Sequence, residues 1–155
     1  MIQENRSDAA GNINRLKIAE LFLRLALAAS FLSAVADRFG LWGPPGKQGV
    51  YWGDFEAFVA YTEQVNSFLP KILGPTLAWT ATILEIVLGL ALIVGFRVRL
   101  TAAASGVLLL AFSLAMTISF GIKAPLDYSV FSAAAGAFLL AVLPTSARGP
   151  LNSAS

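Results

Sequence analysis

TLAWTATILEIVLGLALIVGFRVRLTAAASGVLLLAFSLAMTISF, residues 76–120, decides the fold. Two apolar runs, 76–96 and 100–120, flank the turn GFRVR, and each has roughly the 20 residues that cross about 30 Å of hydrocarbon. Backbone immersed in lipid must pair its own N–H and C=O groups, so a continuous apolar run of this length is a helix. Gly95 ends the first helix, and Arg97 and Arg99 mark the turn as a topology determinant facing anionic headgroups.

Outward from this pair, two further apolar segments complete a bundle: 16–39 before it and 128–143 after it. The last is short, entered through Pro125 and stopped by Pro144. The whole chain agrees: of 155 residues, 57% are hydrophobic and 13% charged, with mean hydropathy +0.72, far from the quarter charged expected of a soluble domain. The expected fold is an all-α integral membrane four-helix bundle: residues 1–15 a cytoplasmic tail, 16–144 the transmembrane domain, 145–155 a second tail.

Four crossings return the chain to its starting side. Arg6, Arg15, Lys17, Arg97, Arg99 and Arg148 gather on one side, while Arg38, Lys47, Lys71 and Lys123 are spread over the other, so both termini are expected in the cytoplasm. Ala34-Val35-Ala36 imitates a signal-peptidase site, but Glu20 and Arg24 interrupt the apolar stretch before it, so the first segment is read as a retained helix.

The long outer loop, 40–75, opens with GLWGPPGKQG, whose glycines and prolines forbid regular structure. In DFEAFVAYTEQVNSFLP, by contrast, Phe55, Phe58, Val59, Thr62, Val65 and Leu69 recur at helical spacing, with Asp54 as N-cap and Pro70 as stop. An amphipathic helix is expected there, as a lid on the bundle or as a docking or lipid-binding surface. Trp42, Tyr51, Trp52 and Trp79 suit the aromatic belt of that interface.

Arg24 is the residue least at home. It lies eight residues into the first span, roughly 12 Å deep, where a charge costs at least about 2.5–3.5 kcal/mol unless an acid compensates it. Glu20 stands one turn earlier on the same helix, and Glu85 lies roughly 16 Å from the inner end of the second span, at a similar depth. Ala78, Thr82, Glu85 and Gly89 make a small, polar face that turns into the bundle, and Ser105, Ser113 and Thr117 add candidate interior hydroxyls. An Arg24/Glu85/Glu20 constellation has two readings: an ion pair that fixes helix register, or a polar cavity for a ligand headgroup such as a quinone, or for protons. Asp37 and Arg38, at the end of the first span, are expected to be solvated at the interface.

The chain has no cysteine and no histidine, which removes thiol chemistry, disulfides, Cys/His zinc sites and histidine-ligated haem. Net charge is +2, and no basic stripe points to nucleic acid. Electron transfer, if served, would use a centre on another molecule.

LAWTATILEIVLGLALIVGFRVRLTAAAS, with Glu85, Gly89, Gly95 and Arg97 or Arg99 leading into Ala102 to Ala104, resembles the central signature of the DoxX family. ASFLSAVADRFG, FEAFVAYTEQVNSFLP and YSVFSAAAGAFLLA resemble other parts of its members, although the first segment ends in Asp37-Arg38-Phe39-Gly40 where many relatives have a lysine-containing version. The resemblance implies a four-helix protein of a bacterial or archaeal inner membrane. It also implies an accessory or anchor subunit of a quinone-linked oxidoreductase, with membrane or periplasmic partner subunits, no covalently bound cofactor and a quinone as the associated redox molecule. A stand-alone binding protein, transporter or enzyme using the polar interior is the alternative, and self-association through small-residue faces stays open.

Overall fold

The computed structural model describes the backbone of residues 2–143 and the side chains of residues 11–143. Pro144, expected as a stop, and the tail 145–155 lie outside the described residues. Six α-helices follow one another, and no strand occurs among the described residues: α1 (Ile2–Arg38), α2 (Phe55–Val65), α3 (Gly74–Val94), α4 (Val98–Phe120), α5 (Lys123–Asp127) and α6 (Val130–Val142).

The long helices stand in chain order around a ring. α1 packs on α3 and α4 on α6, and α3–α4 and α6–α1 contacts close the circuit. Leu27, Phe31, Leu88, Leu92, Val98 and Leu140 form the core at its centre. Two glycines set the spacing. A Cβ on Gly106 would fall 2.8 Å from the Phe138 ring between α4 and α6, and one on Gly89 would meet Leu32 of α1 at 3.1 Å.

The outside of the ring is as apolar as the inside. Val87, Val94, Val107, Ile118 and Val142 are all more than half exposed. A helix apolar all round is stable only in a surrounding apolar medium, and three stretches, Gly11–Arg38, Lys71–Val94 and Val98–Phe120, are long and apolar enough to cross a membrane.

α6 is shorter, 13 residues or about 20 Å. The chain enters it through α5, which holds the buried Pro125 and an exposed Lys123–Asp127 ion pair, and then breaks at Ser129, in the left-handed region at φ 56°. The fourth apolar segment expected over 128–143 thus corresponds to α6 alone, with the separate short α5 leading into it.

Other boundaries move less. α3 starts two residues before the expected Thr76, because Pro75 suits a helix's first turn, and it stops at Gly95, whose φ of 78° lets the N–H groups of Gly95 and Phe96 both bond the Ala91 carbonyl. α1 begins at Ile2, inside the segment expected as a tail, since extending an existing helix needs no new nucleus.

The connection from α1 to α3 covers one end of the ring, called the loop end; the Gly95–Arg97 turn marks the other, the turn end. Asp54 caps α2 as expected, its Oδ1 accepting from the Ala57 N–H at 2.7 Å. The helix ends at Val65 rather than near Leu69, where Asn66 bonds back to the Thr62 carbonyl. Its buried residues, Phe58, Thr62 and Val65, face the bundle, and Phe58 joins Ala78 and Ala81 of α3 in a second apolar cluster. α2 is thus seated as a lid on α3 and α4.

Candidate functional site

Thr82 and Glu85 stand three residues apart, so they share the inward face of α3. The arginine that meets them is Arg38, at the last position of α1. Its Nη1 donates to Thr82 Oγ1 at 2.9 Å, and its Nη2 lies 2.9 Å from Glu85 Oε1 and 2.7 Å from Oε2. Thr82 passes its own hydroxyl proton to the Ala78 carbonyl at 2.8 Å, which leaves its lone pairs for the arginine.

The lid seals this pair. The Arg38 guanidinium carbon lies 3.7 Å from the centre of the Phe58 ring and 5.3 Å from that of Trp52. Arg38 and Glu85 are each only 3% exposed. Two charges so far from water persist only because each compensates the other, and the ring faces add cation–π attraction.

Asp37, one residue earlier, is also 3% exposed and does a different task. Its two oxygens accept from the Tyr51 and Gly53 N–H groups at 2.9 and 3.2 Å, tying the loop over the end of α1. Gly53 is required there: its φ is 73°, and a Cβ would fall 2.4 Å from the Pro45 nitrogen. Asp37 and Arg38 were expected to be solvated, and the structure corrects this for both.

Arg24 does not reach Glu85. Its guanidinium turns to the turn end, with Nη1 3.1 Å from where a Gly95 Cβ would stand, and its Nε is buried without a hydrogen-bond partner. Glu20 is buried one turn earlier on α1.

The expected pairing failed because it assumed that the neighbouring helix ends lie level. α3 rises eleven residues from Gly74 to Glu85, about 16 Å, while α1 stops level with Thr82 and Glu85 and the loop fills the space beyond. The signal within the sequence was Asp37-Arg38 itself, adjacent charges that the loop's tryptophan and the lid's phenylalanine could cover.

The other candidate hydroxyls close on their own helix. Ser105 donates to the Thr101 carbonyl, Ser113 to Leu109 and Thr117 to Ser113, each within 2.9 Å, so α4 presents no chain of free donors. Arg97 and Arg99 are exposed at the turn, with Arg97 in the left-handed region at φ 40°. No group of three metal-ligating side chains occurs among the described residues.

A quinone headgroup does not fit the interior constellation: the Glu85 carboxylate is taken up by Arg38 and covered by the lid, and Arg24 is elsewhere.

The DoxX family model matches residues 19–119, from the first span to the last turn of α4. The chain belongs to the DoxX family. Asp37, Arg38, Thr82 and Glu85 all lie inside the matched region, and α5 and α6 lie beyond it. No curated protein and no solved structure gives a match. As a DoxX protein with apolar helices on every side of its ring, it is a membrane protein in contact with the lipid bilayer.

Proposed function

We propose that this DoxX protein is an accessory or anchor subunit of a quinone-linked oxidoreductase. In this reading it crosses a bacterial or archaeal inner membrane four times, with both termini in the cytoplasm and the loop end outside. The basic residues of the turn end, Arg97 and Arg99, support that orientation. The redox centre belongs to the partner, since this chain has neither cysteine nor histidine to hold one.

One observation carries the reading: the buried charges at the loop end are used to hold a lid. Arg38, Glu85 and Asp37 bind Thr82, the loop and the rings of Trp52 and Phe58, and Arg38 and Glu85 are sealed beneath the lid. What they position is the exposed side of α2, where Glu56, Ala60 and Gln64 recur at four-residue intervals. A rigid lid whose outer stripe is free is suited to docking another subunit.

Extraction from the native membrane in mild detergent, followed by intact-complex mass spectrometry, tests the proposal. A complex containing cofactor-bearing oxidoreductase subunits, lost in Ala60→Arg while the variant chain remains folded, is the expected result. A lone chain or a homo-oligomer overturns it.

A further inference from the structure

Beside the sealed ion pair, on a different face of α1, a groove of about 320 Å³ runs beneath the loop. Ser30, Ser33 and Asp37 form its floor, one side of α1 over about two turns, and Trp42, Tyr51 and Trp52 stand over it.

Three donors of this groove are already engaged: the Trp42 indole N–H bonds the Ser33 carbonyl at 3.1 Å, the Ser30 hydroxyl bonds the Ala26 carbonyl at 2.9 Å, and the Tyr51 N–H bonds Asp37. The acceptors remain. A carboxylate has lone pairs beyond the two that Asp37 gives to the loop, and Ser30 keeps both of its own. Aromatic faces above add negative quadrupole.

Asp37 is also the one buried charge here whose partners are all neutral. Arg38 is compensated by Glu85, and Lys47, the nearest lysine in the loop, bonds the Trp42 carbonyl at 3.0 Å instead. No ion pair with Asp37 forms among the described residues.

We propose that this groove binds an alkylammonium group, with the cation against Asp37 and the indole faces and its alkyl part along α1 toward Ser30. Aromatic walls with a carboxylate recognise an alkylammonium group, because attraction to the rings adds to the hydrogen bonds that its N–H groups give the free acceptors. The group is supplied by an amine-bearing lipid headgroup or by a soluble amine. The site does not depend on the partner-subunit reading.

Tryptophan fluorescence of the full chain in nanodiscs tests this, with butylammonium chloride as probe, 1-pentanol as its neutral counterpart and sodium chloride as ionic control. The expected result is a saturable change with butylammonium alone, at least tenfold weaker in Asp37→Asn and in Ser30→Leu, and unchanged in Arg24→Gln. Ser30 is an exposed helical position where leucine keeps the helix, so its variant stays informative if the Asp37 variant loosens the loop. Nanodiscs of phosphatidylethanolamine that weaken the probe relative to phosphatidylglycerol assign the ligand to a headgroup; equal binding in both assigns it to a soluble amine, and either result upholds the site. No saturable change, an equal response to pentanol, or full binding in Ser30→Leu overturns it.

Discussion

Arg24 and Arg38, both on α1, solve the same problem in opposite ways. Arg38, at the loop end, is enclosed by an acid, a hydroxyl and two aromatic rings. Arg24, at the turn end, is half-buried against Gly95. The contrast teaches that position along an apolar segment is a poor guide to where a charge is compensated. The residue deep in the run leans to the nearer end, whereas the one at the segment's terminus is buried because a loop folds over it.

The sharpest way to break the contrast is to remove one half of the sealed pair. Glu85→Leu leaves Arg38 buried and uncompensated and should cost about 3–5 kcal/mol, read as a large fall in Tm in detergent. Phe58→Ala strips the ring from the guanidinium and opens a cavity under the lid; a loss of about 3 kcal/mol is expected, together with faster proteolysis within residues 40–70. Asp37→Ala should cost about 2 kcal/mol by freeing the Tyr51 and Gly53 N–H groups, and hydrogen exchange should rise at both. Arg24→Leu, at the other end, should change Tm little, within about 1 kcal/mol; a loss equal to that of Glu85→Leu would erase the distinction.

A smaller effect sharpens the lid itself. Tyr61 of α2 is held above its ordinary pKa of 10.0, first by burial and then by Tyr128. The folded state therefore favours the neutral phenol, so its contribution is fully present below pH 10 and is lost as pH rises through the elevated value. Tyr61→Phe should flatten that alkaline decline in Tm.

The membrane bundle was legible because hydropathy and length decide it with little help from packing. The runs at 76–96 and 100–120, the glycine stop at Gly95 and the Asp54 cap all depend on local chemistry, and each corresponds to an element within a few residues. Glu85 and Thr82 were legible as inward-facing, from the small residues around them. The partner was not, because helix offset is set by the loop's fold, and the loop's fold rests on Asp37 accepting from backbone groups 14 and 16 residues away. The break at Ser129 was equally hidden: nothing in YSVFSAAAGAF marks a left-handed serine.

Glu85 belongs to Arg38 rather than to Arg24, and paired double-mutant cycles address that directly. Tm in one detergent would be measured for Glu85→Leu, Arg38→Met and Arg24→Met, and for the two doubles that combine Glu85→Leu with each arginine change. The Arg38/Glu85 cycle should show coupling above about 1.4 kcal/mol, with the double variant recovering much of either single loss, and the Arg24/Glu85 cycle should be additive within about 0.5 kcal/mol. Coupling to Arg24 with additivity at Arg38 would contradict it.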